Sequence, residues 1–134
     1  MIAYLASDLL WASKIKGVAD VLGLPCRPVR TMDMLEARLG DSDVRGLVVD
    51  LEAPEELALA MIRRAKHSHA PITGEREPHP NLLGPRSIRV VAFGPHVARE
   101  RLQAARDAGA DDVMPRGAFA AHLEDVLLRL AGRG

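Results

Sequence analysis

Three charged residues, Asp8, Asp50 and Arg116, each come at or just after a short apolar run of the sequence. If those runs are neighbouring strands of a parallel sheet, the ends of the strands bring the three side chains to one edge. Two carboxylates beside a guanidinium could then act as an acid–base site. The alternative is an ion cluster whose members satisfy one another at the strand ends.

Histidines gather in and beside one irregular stretch, residues 68–87. The side chains there that could bind a metal ion are His67, His69, Glu75, Glu77 and His79. A protein metal site needs three or four ligands converging at about 2.0–2.2 Å. No recognised ligand spacing is present, which favours a solvated polar loop. His96 and His122 are predicted to lie on helix surfaces.

The chain has one cysteine, Cys26. A thiol can become a nucleophile beside a base. The pattern indicates no histidine partner, however, and a packed side chain is the simpler interpretation. One cysteine cannot form an internal disulfide, which is typical of a reducing compartment. We therefore predict a cytoplasmic protein.

Charge and hydropathy exclude several classes of protein. Lys plus Arg and Asp plus Glu number 18 each, so the neutral chain has no general attraction to nucleic acid or to an anionic membrane. The sequence contains no run of 18 apolar residues, so no transmembrane helix is predicted. The first residues lack the basic region and cleavage site of a signal peptide.

Apolar runs alternate with helical periodicity five times along the chain. Strands are predicted over residues 2–6, 25–30, 44–50, 88–93 and 112–114. Helices are predicted over residues 9–22, 32–39, 54–66, 97–108 and 118–130. Residues suited to start helices are Ser7 or Asp8, Thr31 and Pro54, and residues suited to end them are Gly23, Gly40 and Gly109. Two prolines in the second strand favour an edge position.

This alternation predicts one α/β domain over residues 1–134, with a doubly wound parallel sheet. Residues 68–87 interrupt the pattern with four prolines and two glycines. A 20-residue loop is long for a small domain and indicates a lid, a binding loop or a disordered insertion. Ligands of such sheets bind beyond the carboxyl ends of the strands.

Three segments resemble the receiver domains of response regulators of the chemotaxis-regulator type: residues 47–54, residues 104–119, and the N-terminal strand with the polar pair and helix that follow it. Receivers end the third strand with the phosphoaccepting aspartate and carry a proline four residues later, as Asp50 and Pro54 do here. The stretch 104–119, AARDAGADDVMPRGAF, is similar to the receiver pattern A-x-x-x-G-A-x-x-Y-L-x-K-P-F. Its matching residues are Ala105, Gly109, Ala110, Val113 and Met114. The resemblance implies a flavodoxin-like fold with three α/β/α layers and strand order 2-1-3-4-5.

The same resemblance implies that the metal site of a receiver is largely missing. Receivers carry two acidic residues after the first strand, which bind Mg²⁺ together with the phosphoacceptor. Those positions are Ala6 and Ser7 here, with Asp8 next. Any Mg²⁺ would then be held weakly, by Asp8 and Asp50.

The other receiver groups are also replaced. The hydroxyl residue that ends the fourth strand becomes Gly94, and the lysine after the fifth strand becomes Arg116. The aromatic switch residue of the fifth strand becomes Val113. The pocket positions implied by the resemblance are Ser7, Asp8, Glu52, Gly94 and Arg116, around the phosphoacceptor position Asp50.

The leading hypothesis is a degenerate receiver-like signalling module, not an enzyme, with no required cofactor and a weak or lost phosphoryl switch. It would contact a protein partner or a second copy through the fourth helix, fifth strand and fifth helix, around residues 99–106 and 118–130. One alternative is an atypical receiver that is still phosphorylated at Asp50. The other is a small-ligand-binding or enzymatic flavodoxin-like domain with residues 68–87 as a lid.

Overall fold

The computed structural model describes residues 1–67 and 88–132 and places all five predicted strands in one sheet. The strands are β1 (Ile2–Leu5), β2 (Cys26–Pro28), β3 (Gly46–Asp50), β4 (Arg89–Gly94) and β5 (Asp112–Pro115). The helices are α1 (Leu9–Leu22), α2 (Met32–Asp41), α3 (Glu55–Lys66), α4 (Arg99–Ala108), α5 (Arg116–Ala121) and α6 (Leu123–Leu130). The predicted insertion at 68–87 lies outside the described residues.

The sheet has the order β2-β1-β3-β4-β5, and every neighbouring pair is parallel. This confirms the predicted fold class and strand order, with β2 at an edge. From β1 the chain turns one way to reach β2, and β3 lies on the other side of β1. The loops that leave β1 and β3 therefore diverge, which opens a crevice at the carboxyl edge of the sheet.

Helices cover both faces of the sheet, as the predicted three layers require. One apolar cluster joins β1, β3 and β4 to α2, α3 and α4, with Leu35, Met61 and Leu102 among its members. The other joins the opposite face to α1, α5 and α6. Its centre holds Phe93 and Phe119, whose rings stack with centroids 4.0 Å apart. Strands covered on both faces explain why β3 and β4 are almost continuously apolar in sequence.

Most helix ends follow the predicted residues. The Asp8 carboxylate accepts a hydrogen bond from the Trp11 amide and caps α1, and Thr31 caps α2 in the same way. Gly23 and Gly109 end α1 and α4 with φ angles of 73° and 114°. These values lie in the left-handed region that glycine adopts without the steric cost of a Cβ atom.

Two predicted helix boundaries are wrong. Helix α2 continues through Gly40 and ends at Asp41, where the Ser42 amide donates to the Arg38 carbonyl. The last predicted helix, 118–130, is two helices that meet at His122, and the first of them begins at Arg116. The leucine spacing that predicted this helix covers only α6, so it carries no information about the turn before it.

Candidate functional site

Asp50 ends β3 and lies at the centre of the carboxyl edge of the sheet. Its side chain has no exposed surface, and it is the only polar or charged residue in the buried class among residues 1–67 and 88–132. Strand β3 is covered on both faces, so its last residue cannot turn its side chain into bulk water. A buried carboxylate must therefore find hydrogen-bond donors in the protein.

Two loops supply those donors. The Ser7 amide and the Ser7 hydroxyl both donate to Oδ2 of Asp50, at 2.8 and 2.5 Å. The Glu52 amide donates to Oδ1 at 3.0 Å. Hydrogen bonds to an ionised acceptor are stronger than those between neutral groups. The loop after β1 and the loop after β3 are thus joined through one carboxylate.

Asp8 has a different task, although it is next to Ser7 in sequence. Its Oδ1 accepts from the Trp11 amide at 2.9 Å, so this carboxylate closes the first turn of α1. Ala6 and Ser7 supply no carboxylate. Mg²⁺ prefers several oxygen ligands in near-octahedral geometry, usually carboxylates together with waters. One carboxylate whose two oxygens both accept from protein donors and one that caps a helix fit such a site poorly.

The weak Mg²⁺ site at Asp8 and Asp50 therefore stays a prediction. Within the described ranges, no group of three His, Cys, Asp or Glu side chains could hold a metal ion. Of the predicted histidine cluster, His67 is exposed just after α3. His69 and His79 lie outside the described residues, as do Glu75 and Glu77.

Arg116 pairs with Glu52 and not with Asp50. Its Nη1 lies 2.9 Å from Oε2 of Glu52, and the two side chains are 45% and 37% exposed. At that exposure the ion pair stabilises the fold only slightly. The three-residue cluster of Asp8, Asp50 and Arg116 is therefore wrong as an ion cluster, because no hydrogen bond or ion pair joins any two of them.

The space beside Gly94 is filled by an apolar side chain. Gly94 is the last residue of β4, and a Cβ atom there would lie 3.1 Å from Cβ of Leu51. Leu51 is buried, and its amide donates to the Phe93 carbonyl, so the backbone holds it in place. A serine or threonine at position 94 would need Leu51 to move.

Arg101 is a contact residue that sequence reasoning missed. Its Nη2 donates to the Ala53 carbonyl at 2.8 Å, and its Nε lies 4.0 Å from Glu55. This side chain joins α4 to the loop between β3 and α3. No sequence signal pointed to it, because a charged residue on a helix is usually predicted to be solvated.

The remaining predicted groups are surface or packed residues. His96 and His122 are exposed, but they lie in turns before α4 and between α5 and α6, so their predicted place on helix surfaces is wrong. Cys26 is buried in β2, and burial raises the pKa of its thiol to about 12. The reactive form of cysteine is the thiolate, so this thiol is a poor nucleophile at neutral pH.

Comparison with solved structures identifies the fold. The receiver domain of NtrX from Brucella abortus superimposes with a TM-score of 0.71 at 19% identity, over all of both chains. The signal receiver domain of a histidine kinase from Syntrophus aciditrophicus gives 0.71 at 18% identity, over 98% of this chain and 89% of that one. A response regulator from Thermotoga maritima gives 0.69 at 14% identity, over 98% and 96%. The chain therefore has the receiver fold.

Against the longer NtrX chain from Brucella abortus, the match covers 96% of this chain and only 26% of that one, with a TM-score of 0.69 at 20% identity. No protein-family model matches the sequence. No curated protein matches it either. The likeness is thus one of fold, and the activity has to be argued from the site.

Proposed function

We propose that this chain is a receiver-like signalling module that acts through protein–protein contacts and whose phosphoryl switch is weak or lost. The observation that carries the proposal is that both carboxylate oxygens of Asp50 accept hydrogen bonds from the protein. Its carboxylate is fully buried and accepts three hydrogen bonds from Ser7 and Glu52. A phosphoacceptor instead needs an oxygen free to attack in line and a cation to offset the developing charge.

The cost of freeing Asp50 supports a weak switch. A phosphoryl donor must reach Oδ1 or Oδ2, and each oxygen is already bonded to an N–H or O–H donor of the protein. A hydrogen bond to an ionised acceptor contributes about 1.5–3 kcal/mol, and displacing one would add to the reaction barrier. Gly94 has no hydroxyl, and Asp8, the carboxylate next to Ser7, accepts from the Trp11 amide, so neither residue offsets that cost.

The position of Arg116 supports the same proposal. The resemblance to receivers places a lysine there, but the guanidinium of Arg116 bonds to Glu52. To reach a phosphoryl group on Asp50 it would have to leave that carboxylate. Arginine presents a planar array of donors, whereas lysine presents a compact point charge, so the two are not equivalent partners for a phosphoryl oxygen.

The contact face we propose is formed by α4, β5, α5 and α6. Strand β5 is an edge strand with half-buried Val113 and Met114, and an edge strand offers unpaired backbone groups to another chain. Its occupant is a protein partner or a second copy of this chain. The receiver fold and the neutral chain both favour a cytoplasmic protein that does not contact nucleic acid or membrane directly.

Incubation with acetyl phosphate and Mg²⁺, followed by intact mass measurement, tests the switch. We expect less than about a tenth of the chain to gain a phosphoryl group under conditions that saturate a competent receiver. Asp50→Asn is the control that identifies any modification at this residue. Ready, stoichiometric gain of one phosphoryl group that Asp50→Asn abolishes would establish the alternative, an atypical phosphorylated receiver.

Sedimentation velocity tests the second-copy option for the contact face. Arg106 is exposed on α4, whereas Arg63 is exposed on α3, outside the proposed face. If copies associate through α4, Arg106→Glu should weaken the dimer at least tenfold and Arg63→Glu should not. Equal effects of the two variants would contradict the proposed face.

A further inference from the structure

A cavity of about 450 Å³ opens at the carboxyl edge of the sheet, on the β2 side of Asp50. It lies where the loops after β2, β1 and β3 diverge, which is the position at which doubly wound sheets bind ligands. Its volume falls within the range of small-molecule sites. Most of its wall is apolar and includes Leu9, Ala12, Pro28 and Leu57.

Leu9 lines the cavity, and much of its apolar surface is exposed to solvent. Its side chain is 78% exposed, and Leu10 beside it is 76% exposed. Large apolar residues with that exposure leave water in contact with hydrocarbon at an energetic cost. An apolar molecule seated in the cavity would cover part of Leu9.

Two polar groups in the cavity wall have free hydrogen-bonding capacity. Arg30 is exposed, and its guanidinium makes no hydrogen bond or ion pair with the described residues. Tyr4 is 4% exposed, and its hydroxyl has no hydrogen-bond partner within the same ranges. Burial raises the pKa of the Tyr4 phenol, so it stays a neutral donor. Arg30 and Tyr4 line the same cavity, so one ligand can reach both residues.

The charge of the cavity favours a single carboxylate over a phosphate. Asp8 and Glu52 also line it, and both are engaged, Asp8 with the Trp11 amide and Glu52 with Arg116. A dianion would meet two carboxylates with only one free arginine to offset them. A monoanion can accept hydrogen bonds from an arginine and a phenol, which is a common way of binding a carboxylate.

We infer that the cavity binds a small amphipathic monocarboxylic acid. The carboxylate lies between the guanidinium of Arg30 and the hydroxyl of Tyr4, and the apolar body lies against Leu9, Ala12 and Leu57. The inference does not rest on the loss of the phosphoryl switch. Ser7 and Glu52, which donate hydrogen bonds to Asp50, also line the cavity. A bound ligand therefore contacts both loops that hold Asp50.

Titration of ¹⁵N-labelled protein with octanoate, followed by NMR chemical shifts, tests the inference. We expect saturable shifts centred on Ala6, Leu9 and Ala12, with a dissociation constant of about 1 mM for so small a probe. 1-Octanol provides the uncharged comparison. Arg30→Gln should weaken octanoate binding at least fivefold and 1-octanol binding less than twofold.

Three further variants test the placement of the ligand. Arg27→Gln is the matched control, because Arg27 is exposed on β2 and does not line the cavity. Tyr4→Phe should weaken octanoate binding two- to fivefold while preserving the ring. Ala12→Phe should fill the cavity and abolish binding of both probes, with circular dichroism to verify folding.

Several outcomes would overturn the inference. They are the absence of saturable shifts at 10 mM octanoate, shifts centred away from the cavity, and equal effects of Arg30→Gln and Arg27→Gln. Unchanged binding in a folded Ala12→Phe variant would overturn it as well. None of these outcomes bears on phosphorylation of Asp50, so the two proposals fail separately.

Discussion

The Ser7 amide and hydroxyl both donate to Asp50, and Ser7 stands at a position where the resemblance to receivers implies an acidic metal ligand. A carboxylate at the end of a buried strand needs an external source of positive charge or of donors, and this chain supplies donors from its own backbone and from one serine. On the proposed function, these donors give Asp50 a structural role in place of the reactive role of a phosphoacceptor. Ser7 is thus the residue whose change best separates the two roles.

Replacing Ser7 with alanine should lower the free energy of unfolding by about 1–3 kcal/mol, because a buried carboxylate loses its hydroxyl donor. Urea denaturation measures the change. Ser13→Ala is the control, since Ser13 is exposed on α1 and has no side-chain hydrogen bond among the described residues. A loss in Ser7→Ala no larger than in Ser13→Ala would mean that the hydroxyl does not stabilise Asp50.

The buried thiol of Cys26 makes the free energy of unfolding depend on alkaline pH. Its pKa is about 12 in the folded chain, against 9.0 for the ordinary thiol. The unfolded chain releases this proton first, so the stabilisation is complete below pH 9 and is lost as the pH rises towards 12. Denaturation between pH 9 and 10 should show a slope of up to about 1.4 kcal/mol per pH unit that Cys26→Ala removes, whereas above pH 10 the raised pKa of Tyr4 adds a slope of its own. The same slope in the variant would assign it to another group.

At the scale of helices and strands, replacing Gly46 and Gly17 with alanine should change the free energy of unfolding in opposite directions. A Cβ atom at Gly46 would lie 2.6 Å from Cβ of Leu130, so α6 packs against β3 only over a glycine. At Gly17, on the exposed side of α1, a Cβ atom would meet nothing within 4 Å. Gly46→Ala should cost about 1–3 kcal/mol of unfolding free energy, whereas Gly17→Ala should add about 0.5–1 kcal/mol.

Thermal and urea denaturation of the two variants measure this contrast, and each serves as the control for the other. Destabilisation by Gly17→Ala, or a neutral Gly46→Ala, would mean that the contacts between β3 and α6 differ from those described. Neither glycine lies at the candidate site, so both substitutions change only helix stability and the packing of α6 against β3.

The sequence predicted those elements whose ends depend on local chemistry. Asp8, Thr31 and Gly23 act within one helical turn, so their roles can be read from neighbouring residues. The donors of Asp50 depend on contacts between distant segments. Ser7 and Asp50 are 43 positions apart, and Arg101 and Ala53 are 48 apart. Periodicity and capping rules carry no information about such pairs.

For the molecule as a whole, alternating runs sufficed to predict a parallel sheet in three layers. The strand order came from the resemblance to receivers, and the structure confirms it. The cavity was outside the reach of the sequence, because its wall combines residues from three loops and from α1 and α3. Residues that are unremarkable singly, such as Ala12 and Pro28, define it only once the fold brings them together.

One side chain, that of Lys66, joins the described residues on either side of 68–87. Nζ of Lys66 donates to the Ile88 carbonyl at 2.9 Å and to Asp111 at 2.7 Å, and Asp111 also accepts from the Val90 amide. Replacing residues 68–87 with five Gly and Ser residues should leave the fold intact. Shortening this connection from 20 residues to five lowers the entropy cost of closing it, which should raise the free energy of unfolding by about 1 kcal/mol.

Heteronuclear NMR spectra and urea denaturation check this prediction, with Lys66→Met as a variant that removes the joining contact. A loss of more than about 2 kcal/mol on shortening would show that residues 68–87 contribute to the folded core. Shortening and Lys66→Met should have separable effects, because the first changes chain entropy and the second an ion pair.

The contacts of Lys66 also identify a position where foreign sequence could be inserted into this domain. The junction lies at the amino edge of the sheet, a full length of α3, or about 18 Å, from Asp50 and the cavity. Foreign sequence spliced in between Lys66 and Ile88 would therefore leave the opposite rim undisturbed. The same junction is a natural place to open the chain for circular permutation or to graft a reporter domain.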